Sequence, residues 1–295
     1  MTSTTRIFAW KLCDIILLAC AGIALCSAAP GAEWEPLVNG KDLAGWDTFL
    51  RPANPNDTNY GLNRDPEKVF TVENQDGGPV IHISGKYWGG IITTQEFENY
   101  HLRLEYKWGK KTWPPRLNAT LDSGLLYHCA APSADAVYPW PRSIEFNITE
   151  HDTGEFWSVE NTIADAEVVP IGNSREERAS FKAWCERNEA QGPKVKFQKG
   201  GRKETFSDGG FMPGGDFEKR AGEWNILELY VLGDRSVHIV NGKVALVLTG
   251  LRQKTGGQEV PLTKGRIELQ SESAEIFFRN VQVRSITEIP AEVLK

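Results

Sequence analysis

The chain alternates. From Tyr100 to Trp108, Leu102, Leu104 and Tyr106 fall on one side, with His101, Arg103 and Glu105 between them. Successive side chains of a strand point to opposite faces, so this spacing predicts a half-buried strand. Similar short runs recur: Val69–Val72, Val80–Ile83, Gly90–Thr94, Gly124–His128, Trp224–Val231, Ser236–Val240, Val244–Leu248, Arg266–Gln270 and Glu275–Val283. Turn residues separate them. Asp76-Gly77-Gly78 and Asn241-Gly242 sit where a hairpin needs left-handed backbone. No long amphipathic helix and no fixed-period repeat is evident. About a dozen short strands predict an all-β fold, two stacked antiparallel sheets in a β-sandwich or jelly roll. Residues 161–217 break the rhythm and predict a long irregular insertion. It carries a short helix near Glu176–Asn188 and a short strand at Lys194–Phe197.

One run carries chemistry as well as rhythm. In Arg142–Trp157, Ile144, Phe146 and Ile148 alternate with Glu145 and Asn147. The apolar set faces a core, and Glu145 and Asn147 share the opposite face. Glu150 is out of step by one residue, and a single bulge would return it there. His151, Asp152 and Glu155 follow in the exit loop. Two carboxylates, an amide and a histidine suit acid–base work or metal binding; the alternative is an ordinary solvated strand face. Crowded acids repel unless something uses them, which favours function.

With 295 residues and 40% apolar content, the chain can bury a full core in one large domain, drawn here at 33–288. A net charge of −6 without a basic cluster argues against nucleic acid. Residues 1–29 have a basic start at Arg6 and Lys11, an apolar run from Ile15 to Leu25, and small residues at Cys26-Ser-Ala-Ala29. This predicts an export signal, and hence a periplasmic or extracellular protein without a membrane span after cleavage. Lipid anchoring at Cys20 is the less favoured reading, because Leu18 is not the small residue such a site uses. Cleavage leaves Cys129 and Cys185, which form one disulfide or two separate thiols.

Further stretches carry a family resemblance. Pro36-Leu-Val-Asn-Gly-Lys-Asp-Leu-Ala-Gly-Trp46, Asp122-Ser-Gly-Leu-Leu-Tyr-His128, the acidic run itself, Gly222-Glu-Trp-Asn225, Val240-Asn-Gly-Lys243, and Gly265–Gln270 followed by Phe278-Arg-Asn-Val281 occur in one order. Together they resemble the 3-keto-disaccharide hydrolase domain family, formerly domain of unknown function 1080. The resemblance implies a concanavalin A-like sandwich with a ligand groove on its concave face. Glu145-x-Asn147-x-x-Glu150 also resembles the Glu-x-Asp-x-x-Glu of glucanases, where carboxyls about 5–5.5 Å apart serve as nucleophile and acid/base. Asn147 in the middle place argues against that chemistry.

The family implies another reaction. A C3 ketone acidifies the C2 hydrogen, a base removes it, C1 expels its substituent, and water adds. Candidate catalytic residues are Glu145, Glu150 and His151; His128 is a further candidate base. His128, Asn147, Asp152, Glu155, Trp157 and Arg142 are candidates for binding a glycoside substrate. A divalent metal ion held by Glu145, Glu150, His151 and Asp152 is a further expectation, with no organic cofactor. Trp140 and Tyr138 suit either sugar stacking or rim packing. His82, His101 and His238 read as structural. The alternative function is a carbohydrate-binding module without turnover.

Overall fold

The structure, a computed structural model, describes residues 1, 32–52, 58–133, 138–187, 192–207 and 209–294. The predicted export signal lies outside these apart from Met1. Ala32–Lys295 cluster as one unit.

Strands β1 (Glu35–Pro36), β2 (Trp46–Arg51), β3 (Gly61–Leu62), β4 (Phe70–Gln75), β5 (Gly78–Ile83), β6 (Trp88–Thr93) and β7 (Phe97–Glu98) come first. Then follow β8 (Tyr100–Thr112), β9 (Asp122–Cys129), β10 (Ser143–Thr149), β11 (Phe156–Val159) and β12 (Thr162–Pro170). Helix α1 (Arg175–Arg187) precedes β13 (Val195–Phe197), β14 (Arg202–Phe206) and β15 (Gly209–Phe211). The chain closes with β16 (Asn225–Leu232), β17 (Arg235–Val240), β18 (Lys243–Thr255), β19 (Gln258–Pro261), β20 (Lys264–Ser271) and β21 (Ala274–Ser285).

Among the described residues these strands pair antiparallel into two sheets. The twelve-stranded sheet runs β13-β12-β18-β17-β16-β8-β21-β5-β4, with β1, β14 and β19 on its margins. The nine-stranded sheet runs β15-β11-β10-β9-β20-β6-β2-β3, with β7 beside β20. The core lies between them. Leu102, Leu104 and Tyr106 of β8 share one buried cluster with Leu125 and Tyr127 of β9 and Ile144, Phe146 and Ile148 of β10. Burying each such side chain is worth about 1.5–3 kcal/mol, so alternation decides which face turns inward. The sheets also meet through polar atoms. The Tyr127 hydroxyl lies 2.7 Å from Ser236 Oγ and 3.0 Å from His238 Nε2. The His238 ring stacks on Phe146 with 4.2 Å between centroids.

Both hairpins form where Asp-Gly and Asn-Gly permit them. Gln75 pairs with Gly78 around Asp76 and Gly77, and Val240 with Lys243 around Asn241 and Gly242; all four central residues have positive φ. The insertion is far more ordered than its composition predicts. Its β12, β13 and β14 extend the twelve-stranded sheet, and β15 extends the other. In β12 the inward positions include Ala164, Ala166 and Val168, whose two alanines hide the alternation. Cys129 and Cys185 are both free thiols.

Candidate functional site

On the outer face of the nine-stranded sheet, strand register builds rows of side chains. Trp157 lies opposite Glu145, Glu145 opposite Leu126, Leu126 opposite Glu268, and Glu268 opposite Ile92. In the next row Asn147 faces Gly124 and Gln270 faces Gly90; in the third, Thr149 faces Asp122. The two glycines are needed here. A Cβ on Gly124 would fall 2.4 Å from Glu145 Oε1 and 3.0 Å from Gln270 Oε1, and one on Gly90 would fall 2.2 Å from Glu268 Oε1. Their missing side chains are the space into which the acids lean.

A pocket of about 180 Å³ opens on these rows, lined by Arg116, Asp122, Trp140, Glu145, Asn147, Trp157, Gln270 and Glu272. Glu145 is 8% exposed and has no hydrogen-bond partner among the described residues. Burial pushes its carboxyl well above the usual carboxylate range, and the neighbouring acids Asp122, Glu272, Glu155 and Glu268 push further in the same direction. Arg116 supplies the pocket's positive charge. Its guanidinium reaches Asp122 at 3.0 Å and Glu272 at 2.9 Å. Even so, burial holds the Asp122 carboxyl above its ordinary value.

Glu155 is the floor's anchor. Its Oε1 accepts from Asn147 Nδ2 at 2.6 Å and Trp157 Nε1 at 3.1 Å, and its Oε2 accepts from Trp184 Nε1 of α1. With the amide nitrogen tied down, Asn147 Oδ1 is left buried and unpartnered, as is Gln270 Oε1. The insertion therefore fixes two pocket residues: Trp184, Ile171 and Met212 also pack against Trp157.

The other sequence candidates are placed elsewhere. Strand β10 runs without a bulge to Thr149, so Thr149 takes the place expected for Glu150. Glu150 instead starts the turn, its N–H donating to Leu121 O. His151 stands on that turn with positive φ, its side chain 62% exposed, 3.3 Å from Asp216. Its N–H donates to Glu218, whose other carboxyl oxygen accepts from Tyr106 and Trp108. Asp152 is buried within the turn. His128 is fully buried with both ring nitrogens unpartnered, and burial together with the Arg142 charge lowers its pKa to about 3. Arg142 lies near it and does not line the pocket. Among the described residues no group of three or more His, Cys, Asp or Glu side chains fits a metal ion. Arg116, Gln270 and Glu272 join the site from distant loops and strands. Gln270 closes the Gly265–Gln270 stretch of the family resemblance, but no spacing marks any of the three as a pocket residue.

The class these features define is a two-sheet antiparallel sandwich with an acid-lined, tryptophan-walled pocket on one outer face. The chain belongs to the 3-keto-alpha-glucoside-1,2-lyase-like domain family, whose profile matches residues 33–284. This meets the family expectation and places the protein in a carbohydrate-active class. No curated protein matches it. Among solved structures it is similar to two Parabacteroides distasonis proteins provisionally named glycosyl hydrolases. One has 20% identity, 86% of this chain and 100% of the other covered, and TM-score 0.46; the second has 17%, 86%, 94% and 0.47. It is also similar to a Bacillus licheniformis β-glucanase at 10% identity, covering 88% and 100%, with TM-score 0.39.

Proposed function

We propose that the protein is an exported enzyme that cleaves the glycosidic bond of 3-keto-glycosides, with Glu145 as its proton-transfer group. The observation that carries this reading is the Glu145 carboxyl: buried, without a side-chain hydrogen bond among the described residues, and lining a small pocket with Trp140 and Trp157 on its walls. Ionised, it takes the C2 proton of the sugar, and the electron pair moves onto the C3 ketone oxygen. Arg116 offers a positive charge to that oxygen. As the ketone re-forms, the C1–O bond breaks and the leaving oxygen takes a proton from the Glu145 carboxyl. Water then adds across C1 and C2, so the sum is hydrolysis. A carboxylate whose pKa is raised is the stronger base for C–H abstraction. Asn147 Oδ1 and Gln270 Oε1 accept substrate hydroxyls, and the tryptophans supply apolar ring faces. Glu150 and His151, on the turn beyond the strand, have no step in this scheme. Export rests on the basic–apolar–small pattern of residues 1–29.

The test is turnover of methyl 3-keto-glucoside. Glu145→Gln should lower kcat/KM by about 10²–10⁴-fold. In the native protein the acidic limb of kcat/KM should have its midpoint above 4.5, because the carboxyl must ionise against its raised pKa. Full activity in Glu145→Gln would overturn the assignment. A protein that binds glucosides but cleaves neither oxidised nor plain ones would be a binding module. Metal analysis of chelator-free protein, with activity before and after chelation, tests the divalent-ion expectation.

A further inference from the structure

The lining of the pocket is unevenly supplied with polar atoms. Its donors are mostly spent on the protein. Asn147 Nδ2 and Trp157 Nε1 donate to Glu155, Trp140 Nε1 donates to Gly89 O, and the Arg116 guanidinium reaches Asp122 and Glu272. Its acceptors are not spent. Asn147, 4% exposed, and Gln270, 2% exposed, each leave a buried side-chain oxygen without a donor. The Glu145 carboxyl beside them has no hydrogen bond among the described residues. Buried polar groups in folded proteins are hydrogen-bonded, so this set calls for a ligand that gives protons.

Charge is uneven in the same sense. Asp122, Glu272, Glu155 and Glu268 all act on Glu145, while Arg116 is the only basic side chain in the lining and is shared by two of those acids. Among the described residues no three His, Cys, Asp or Glu side chains are grouped as a metal ion's ligands. Two of the oxygens nevertheless converge. Glu145 Oε1 and Gln270 Oε1 lie 2.4 and 3.0 Å from one point above Gly124, hence at most 2.4 + 3.0 = 5.4 Å apart. A cationic N–H donor bonds at about 2.7–2.9 Å, so one nitrogen can serve both. A hydroxyl there gives one proton and brings lone pairs that need donors, which this lining lacks. An ammonium gives three protons and brings no acceptor. The rings of Trp140 and Trp157 add to the preference where a cation meets their faces.

We infer that the pocket selects a sugar ring bearing an ammonium group, so that its substrates are amino-sugar glycosides in preference to neutral ones, with uronates rejected. For turnover this rests on the glycosidase reading; for binding it does not. Calorimetry with methyl glucoside, its 2-amino, 4-amino and 6-amino analogues and methyl glucuronide tests it. At pH 7 at least one amine should bind about tenfold more tightly than methyl glucoside, and the glucuronide more weakly. Glu145→Gln removes the charge and Gln270→Met the second oxygen, and each should lose most of that advantage. The amine's affinity should also rise from pH 5 to pH 7 more than that of methyl glucoside, because burial and the neighbouring acids hold the Glu145 carboxyl well above its usual range. The 3-keto form of the preferred amine should show kcat/KM about tenfold above methyl 3-keto-glucoside. If no 3-keto-glycoside is cleaved, the glycosidase reading fails, and calorimetry still decides what the pocket selects. Equal affinity for methyl glucoside and every amine, or an advantage that survives both substitutions, would overturn the inference. So would calcium ion that binds in the pocket and that no amine displaces.

Discussion

Gly124→Ala separates the pocket from the fold. Gly124 has an ordinary strand conformation, and alanine there should favour the strand by about 0.5–1 kcal/mol over glycine. The added Cβ would lie 2.4 Å from Glu145 Oε1, 2.8 Å from Leu126 Cδ1 and 3.0 Å from Gln270 Oε1. All three are far ends of flexible side chains and none is backbone, so the sheet need not move. Ordinary contact begins near 3.4 Å, which requires the Glu145 carboxyl to retreat by 3.4 − 2.4 = 1.0 Å. A misplacement of about 1 Å at a reacting group costs about 10²-fold in rate. The expected outcome is a melting temperature within about 4 °C of native and a kcat on methyl 3-keto-glucoside lowered about 100-fold. Native kcat would show that the carboxyl's position does not matter and would refute the argument. A loss of fold would refute the claim that only side-chain ends yield.

Trp184→Phe keeps the ring but removes a donor from a buried carboxyl, and should destabilise the domain by about 1–3 kcal/mol in urea unfolding. A stability equal to native would mean that Glu155 does not depend on the helix. His128→Asn removes a titrating group at a position with positive φ, which asparagine tolerates. The folded His128 pKa, about 3, lies below the ordinary 6.5, so its contribution is complete above 6.5 and is lost as pH falls towards 3. At pH 5 the loss is about 2 kcal/mol. The variant's stability should therefore fall less between pH 7 and pH 5 than the native protein's, measured by chemical unfolding; parallel curves would place the titration elsewhere.

Alternation was enough to put Ile144, Phe146 and Ile148 inward and Glu145 and Asn147 together outward, because a period of two is local and burial enforces it. The path of the chain beyond Thr149 was not legible. Whether a strand bulges or turns depends on the groups waiting at its end, here the Leu121 carbonyl that receives the Glu150 N–H and the Glu218 carboxyl that receives that of His151. The turn brings Glu155 to the floor in place of Glu150. The place of Gln270 in the pocket is hidden for a related reason: pairing between β9 and β20 joins residues 137 to 144 positions apart, and no spacing encodes that. Alanine, charge and glycine dominate the insertion and mask its strands. Its order comes from joining two existing sheet edges, not from a strong pattern of its own.

That joining bears on how the protein can be rebuilt. A loop-rich segment between two sheets invites trimming as a dispensable decoration. Here, cutting α1 away would remove the Trp184 indole that donates to Glu155 Oε2 and leave Trp157 packed on Ile171 and Met212 alone among the buried residues of its cluster. The segment behaves as a keystone, inserted late in the sequence of the domain yet holding the floor laid by β10 and β11. Recombination with relatives should therefore exchange β10, β11 and the insertion as one block.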